Sequence, residues 1–156
     1  MNHLLSIKYL LTVFAISAGI IGYSQQYSGT VIRVIDGDTF VFQTEEGSVV
    51  VRMEGTDAPE RDQPFAGEST DFLKQYLNRK AVLRVSGTDR YGRTIGTLHV
   101  NKRDINLLSV KKGFAWHYKQ YSSDKKYSAA EEYARKRKKG LWSIPDPVPP
   151  WKWRKK

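Results

Sequence analysis

The 156-residue chain contains no cysteine. Disulfides, thiolate metal centres and a lipid-modified cysteine are therefore excluded. Histidine is scarce at three residues, and His99 and His117 stand singly, reading as surface or hydrogen-bonded core side chains. There is no HExxH, GxSxG or Walker pattern, which disfavours a zinc protease, a serine hydrolase and a nucleotide kinase. Acidic charge is short: 16 Asp+Glu face 26 Lys+Arg, a net charge of +10. That excess favours polyanions such as DNA, RNA or acidic surfaces. The apolar run Tyr9–Gly22 falls short of the roughly 20 residues that a membrane-spanning helix prefers.

What that run resembles instead is a secretory leader. Lys8 precedes it, and the small residues Gly22 and Ser24 suit cleavage just after Ser24. Residues 1–24 are expected to be a signal peptide, with an uncleaved anchor as the alternative, and the protein to be secreted or associated with a bacterial cell envelope. A small exported domain without disulfides must be held by its own core, or by its core and a bound ion. Residues 25–144 are read as one domain, and 145–156 as a stiff, extended, basic tail rich in Pro and Trp.

Within the domain, TVIRVI (30–35), TFVFQT (39–44) and SVVVRM (48–53) are rich in β-branched and aromatic residues, with DGD and EEG as short turns between them. They predict an antiparallel meander. Residues 65–79 change period, placing Phe65, Phe72, Leu73, Tyr76 and Leu77 on one helical face. AVLRVSG (81–87) and TIGTLHV (94–100) return to strand around the turn DRYGR. Asp104 is placed to cap a helix over INLLSVKK, with Gly113 as its stop. Tyr127–Lys139 reads as a last amphipathic helix whose basic end, RKRKK (135–139), is a solvated face. Five strands with inserted helices predict an α+β fold built on a small closed barrel.

Three short segments carry chemistry: IDGDT (35–39), VRMEGTDAPE (51–60) and DRYGR (89–93). Asp36 and Asp38 flank Gly37, which would permit positive φ; Asp36 reads as a plain turn residue, whereas Asp38 could face the barrel mouth. With Asp57 it would make an oxygen-only site for a hard divalent ion. Glu60 beside such an ion could take the proton of an attacking water or orient it; otherwise it is a surface carboxylate. Arg52 lies in an apolar strand and needs a partner, either Glu54 or a loop carboxylate, or a phosphate that its fork would grip. Arg93 is a second fork or an ordinary surface residue. Tyr91 and Tyr118 are candidates for stacking on bases beside a basic groove.

Taken in order, VIDGDT (34–39), VRMEGTDAPE (51–60), DRYGR (89–93), INLLSVKKGFAW (105–116), GLWS (140–143) and the PPWKWRKK ending resemble the thermonuclease, or staphylococcal nuclease-like, family from about Gly29 to Ser143. The resemblance implies an OB-type five-stranded antiparallel barrel with three helices. It also implies calcium-dependent hydrolysis of DNA and RNA that leaves 3′-phosphate ends, by a metal-dependent phosphodiesterase of the endonuclease and exonuclease type. By motif, Asp38 and Asp57 correspond to calcium ligands, Glu60 to the residue that activates or orients water, and Arg52 and Arg93 to phosphate and transition-state donors. Ala58 stands where the best-known member has threonine, and the segment around Tyr118 aligns loosely. Single-stranded or breathing duplex substrates and a monomeric enzyme are expected. The rivals are a binding module that has lost its chemistry and a basic adhesion protein of the cell surface.

Overall fold

The computed structural model describes residues 25–155; the expected signal peptide, 1–24, lies outside them. β1 (Gln25–Val34), β2 (Thr39–Thr44) and β3 (Gly47–Met53) form the expected meander. β2 and β3 pair antiparallel from Thr39↔Arg52 to Thr44↔Gly47. β1 is longer than its β-branched stretch alone suggests. Its polar first half, from Gln25, pairs with β5 (Lys80–Thr88) through Gln25↔Val85 to Thr30↔Lys80. A register shift between Val31 and Arg33 bends β1 as it passes from β5 to β2.

β6 (Thr94–Val100) follows the DRYGR turn and pairs antiparallel with β5. Its other edge meets β3 in parallel, with Val51↔Thr94, Arg52↔Ile95 and Met53↔Gly96. That contact closes five strands into a barrel, leaving no long open edge among them. Alternation decides the inside. Val31, Phe40, Phe42, Val51, Met53, Leu83 and Leu98 are buried together, and Phe72 and Leu73 of α1 (Ala66–Lys74) with Ile105 of α2 (Ile105–Lys112) join them. Each such side chain contributes about 1.5–3 kcal/mol by leaving water. β7 (Arg103–Asp104) extends the sheet beside β6.

α2 begins and ends where its sequence signals stand. The Asp104 carboxylate accepts from the Leu107 amide at 2.9 Å, and Gly113 leaves the helix at φ 78°. Gly113 has a second reason to be glycine: a Cβ there would lie 2.1 Å from the Lys139 carbonyl. α1 lacks a side-chain cap and starts from Phe65 in the left-handed region at φ 76°. Phe65 stacks on Phe114 at 5.9 Å, and Phe114 on Phe72 at 4.7 Å, so aromatic packing holds this strained start in place.

α3 (Lys125–Lys136) ends four residues before Gly140, with a short 3-10 turn following at Gly140–Ser143. It packs on α2 and on a two-stranded ribbon of β4 (Thr56–Asp57) and β8 (Trp116–His117), which pair as Thr56↔His117 and Asp57↔Trp116. The C-terminal segment departs from the extended tail expected for it. It is extended at Pro149 and then closes a helical turn, α4 (Pro150–Trp153), with Pro150 buried.

Candidate active site

The turn leaving β1 and the loop leaving β3 meet at one mouth of the barrel. In the first, Asp36 Oδ1 accepts from the Asp38 amide at 3.1 Å, so the Asp36 carboxylate braces its own turn. Gly37 does not use positive φ, which corrects the expectation for it. It is needed for space: a Cβ would lie 2.7 Å from the Cβ atoms of both Ala58 and Ser69. The absence of a side chain lets the two loops touch, and Asp38 is carried inward. Its Oδ2 accepts from the Ala58 amide at 2.6 Å and its Oδ1 from Thr39 Oγ1 at 3.1 Å.

Arg52 leaves β3 beside Asp38's own strand, because Thr39 and Arg52 are register partners. Its Nη2 lies 3.1 Å from Asp38 Oδ2 and 3.0 Å from Asp57 Oδ1, while Nη1 donates to the Met53 carbonyl at 2.8 Å. The partner is thus a pair of loop carboxylates, not Glu54. Asp57 is fixed from below by β4, through its pairing with Trp116. Asp38 and Asp57 are 6 % and 1 % exposed, so two carboxylates lie almost out of water around one guanidinium nitrogen.

Burial dominates their electrostatics. Desolvation pushes Asp38 up from an ordinary 3.8 to about 7, against the pull of Arg52 and with a push from Asp36 and Asp57. Burial raises Asp57 too, opposed by Arg154 and Arg52 and helped upward by Glu60. Such a pocket has too little positive charge for its carboxylates. Its donors are oxygen only, which suits a hard cation. Among the described residues, no cluster of three or more His, Cys, Asp or Glu is arranged around a metal position. Asp38 and Asp57 would therefore hold such an ion with waters and a substrate oxygen completing its shell.

Glu60 follows three residues later, on a loop organised by Gln63. The buried Gln63 amide accepts from the Glu60 N–H at 3.1 Å and donates to the Val148 carbonyl at 2.5 Å. Its own N–H donates to the Glu60 carbonyl at 2.9 Å. The Glu60 carboxylate is not free: Oε1 accepts from Arg154 Nη1 at 2.5 Å. The same guanidinium reaches Asp57, with Nη2 at 2.9 Å from Oδ2 and Nη1 at 3.2 Å from Oδ1. Sequence reasoning missed both Gln63 and Arg154. Arg154 stands 94 residues from Glu60 in a stretch that reads as tail, and no spacing rule links the two.

Arg93 lies just before Thr94, which sits beside Val51 in the parallel closure. This brings Arg93 to the rim of the strand that carries Arg52. Its contacts there are with Asp89, which accepts from the Arg93 Nε at 2.7 Å and from its amide at 3.0 Å, and with the Tyr91 ring at 5.6 Å. Tyr91 is 69 % exposed and also carries Arg90 over its ring at 4.9 Å. Tyr118 follows β8, with its amide donating to the Gly55 carbonyl at 3.0 Å. One face of its ring stacks on Trp151 at 5.5 Å and 6°. The structure thus gathers Asp38, Arg52, Asp57 and Glu60 into one cluster with Tyr118 at its edge, and leaves Arg93 and Tyr91 on the adjoining turn.

The remaining expected residues are structural. His117 is buried, with Nδ1 3.2 Å from Ser128 Oγ, and burial lowers its pKa. Most of the RKRKK run is exposed. Arg135, itself exposed, nonetheless pairs with buried Glu131 and lies over Trp142 at 4.0 Å.

Comparison with known proteins places this arrangement. The family model described as "Staphylococcal nuclease homologue" matches residues 50–144. A protein of Escherichia coli named an uncharacterized endonuclease is 40% identical over 128 residues, covering 81% of this chain and 84% of that protein. An uncharacterized endonuclease of Haemophilus influenzae is 38% identical over 152 residues, 95% of this chain and 85% of its own. A micrococcal nuclease of Shigella flexneri is 33% identical over 141 residues, 83% and 81% of the two chains.

Proposed function

This chain belongs to the staphylococcal nuclease family, and we propose that it is a calcium-dependent nuclease that hydrolyses phosphodiester bonds of DNA and RNA with little sequence preference and leaves 3′-phosphate ends. The observation that carries the reading is the convergence of three carboxylates at one barrel mouth, Asp38 and Asp57 around Arg52 and Asp57 and Glu60 around Arg154, in a chain with net charge +10. A nucleic-acid binder without chemistry has no use for buried acids beside the phosphates it must attract. A surface adhesin has no use for the convergence.

Asp38 and Asp57 would hold the ion. Bound calcium would supply charge neutralisation at a non-bridging phosphate oxygen. Glu60 takes the proton of the attacking water, from a loop whose backbone Gln63 fixes on both sides. Arg52 donates to an equatorial phosphate oxygen, and Arg93 reaches in from the DRYGR turn to hold another or to support the departing 5′-oxygen. Tyr118 and Tyr91 would stack on bases flanking the cut bond. Because these contacts address phosphate and the faces of bases, they read no base edge and confer little sequence preference. A mouth built from two short loops would admit one strand at a time, favouring single-stranded or breathing duplex substrates. On the strength of the leader at 1–24 we further infer export to the envelope or beyond it, and we take the protein to act as a monomer.

The test is digestion of denatured DNA by residues 25–156, with calcium and with EGTA, beside Glu60→Gln. The reading requires calcium-dependent cutting that the variant loses by roughly 10²–10⁴-fold, the range for a general base. DNA that is retarded but intact in every lane would leave a binding module instead.

A further inference from the structure

We propose that Arg154 is a built-in occupant of the cation site, and that the C-terminal segment 145–154 is a cover which the incoming divalent ion must displace; this rests on the nuclease reading above. No motif points to Arg154. Its guanidinium nevertheless spans both oxygens of Asp57 and one oxygen of Glu60, at 2.9, 3.2 and 2.5 Å. These are one of the two carboxylates that would hold the ion and the carboxylate that would take the proton.

The placement is built, not incidental. The Gln63 amide that shapes the Glu60 loop grips the Val148 carbonyl. Trp153 Nε1 donates to Asp62 Oδ1 at 3.0 Å. Trp151 stacks on Tyr118 and meets Trp116 edge-on at 5.6 Å. The Arg154 amide donates to the Pro150 carbonyl at 3.0 Å, closing the turn that aims the side chain. Two of these contacts fall on the loop that carries Glu60, and two on Trp116 and Tyr118, at and just after the β8 strand that pairs with Asp57.

Charge explains why a guanidinium fits. Asp38, Asp57 and Glu60 face Arg52 and Arg154, so with all three carboxylates ionised the cluster is one negative charge in excess. Once Arg154 leaves, the excess is two, which a divalent ion balances. The guanidinium and the ion need the same Asp57 oxygens, so each weakens the other's hold by mass action. The Glu60 Oε1 bonded to Arg154 is also occupied, so that oxygen cannot receive a water until the guanidinium leaves. The cover further lies on one face of Tyr118, the ring proposed to stack on a base. The Arg154 side chain remains 40% exposed, so water can receive it when it is displaced.

The experiment is calcium titration by calorimetry without nucleic acid, on the full chain and on its Arg154→Gln and Arg154→Lys variants. Arg154→Gln is expected to bind calcium roughly five- to tenfold more tightly, the order that a partly exposed charge-assisted pair is worth. Arg154→Lys, which cannot bridge both carboxylates with a planar fork, should fall between. In wild type, calcium should also increase acrylamide quenching of tryptophan fluorescence as Trp151 and Trp153 lift away, and in Arg154→Gln that quenching should be high before calcium is added. Unchanged or weaker calcium binding by Arg154→Gln, beside a wild type that binds calcium and cuts DNA, would overturn this proposal alone. Absence of calcium binding and of cutting in all three proteins would overturn the nuclease reading with it.

Discussion

Asp38 reaches across twenty residues to the Ala58 amide, at 2.6 Å, while remaining 6 % exposed. The bond ties the β1–β2 turn to the loop that carries Asp57, and it places a carboxylate where water is nearly absent. Such a group is a liability to the ion-free fold. Its pKa is raised by burial to about 7 from 3.8, so the folded state holds the proton more tightly than the unfolded chain. The sign follows: its protonated form stabilises the fold below pH 3.8, and that contribution is lost as pH rises towards 7. In EGTA, wild type should lose stability across that window, by up to roughly 4 kcal/mol for a rise of that size, whose source is burial. Asp38→Asn keeps an oxygen for the Ala58 amide and removes the titration, so its urea-denaturation profile between pH 4 and 7 should be flatter. At pH 8 without calcium it should be at least as stable as wild type. A variant clearly less stable than wild type at pH 8 would show that Arg52, not solvation, governs this carboxylate.

The two arginines of the proposed mechanism should separate cleanly. Arg52 lies between two buried carboxylates with a side chain only 15% exposed. Arg52→Ala leaves buried charge uncompensated, a loss of about 3–5 kcal/mol for a pair broken on one side. The rise in the carboxylate pKa values offsets part of that, so roughly 2–3 kcal/mol is expected at pH 7. Arg93 pairs with Asp89 at the surface of a turn, with 32% and 16% exposed side chains; its loss should cost at most about 1 kcal/mol. Both variants should lose catalysis by roughly 10²-fold or more, since each removes a charged donor to the phosphate. Thermal melts beside kcat measurements check this. An Arg93→Ala enzyme with wild-type kcat would remove Arg93 from the mechanism, and equal destabilisation by the two would overturn the stability argument from the burial of Arg52.

Much of this architecture is legible in the chain, and the illegible parts share a cause. The barrel strands show because they are short runs of β-branched and aromatic residues bounded by turn signals, with Phe40, Phe42, Val51, Leu83 and Leu98 at alternate positions turned inward. α2 shows because Asp104 and Gly113 are local signals acting on local backbone. Asp38, Arg52, Asp57 and Glu60 stand close in sequence, so short turns bring them together. Arg154 does not show, because its role depends on a chain reversal after a proline-rich stretch, and proline rules describe extended backbone, not where it docks. Gln63 looks like an ordinary loop residue until the tail arrives to take its amide. Gly37 is visible as a turn glycine, but its actual constraint, the Cβ atoms of Ala58 and Ser69, comes from two remote segments.

Tyr91 offers a test of base contact apart from phosphate contact. It is the more exposed of the two proposed stacking residues, with Arg90 and Arg93 lying over its ring and Arg90 Nη2 donating to its hydroxyl at 2.7 Å. Tyr91→Ala should weaken single-stranded DNA binding by roughly five- to a hundredfold if one base stacks there, from about 1–3 kcal/mol per stacked base. Tyr91→Trp should restore it. The change should appear in KM, with kcat within about threefold of wild type, since the ring touches no reacting atom. Fluorescence anisotropy with a catalytically silent Glu60→Gln background measures the binding. If Tyr91→Ala binds as tightly as its parent, the ring serves only to brace the DRYGR turn.

Gly37 gives the strictest test that the mouth depends on contact between its two loops. A methyl group there would stand 2.7 Å from two Cβ atoms, one on the Asp57–Glu60 loop and one on α1. Neither neighbour is the far end of a flexible side chain, so relief requires backbone movement, which costs roughly 1–3 kcal/mol in a packed setting. The backbone conformation itself is open to alanine, since Gly37 does not occupy the left-handed region. The effect of Gly37→Ala is therefore steric and directional: it pushes the Ala58 segment away from Asp38 and lengthens the bond that holds them at 2.6 Å. Gly47→Ala is the control, because no atom lies within 4 Å of its would-be Cβ and its strain is purely that of φ 138°. Both variants should be destabilised, but only Gly37→Ala should also weaken calcium binding, by roughly tenfold for every 1.4 kcal/mol of lost pre-organisation. Calorimetric titration of the two folded variants at one temperature decides it, and equal calcium affinity in both would mean that Asp38 and Asp57 are positioned independently of the contact at Gly37.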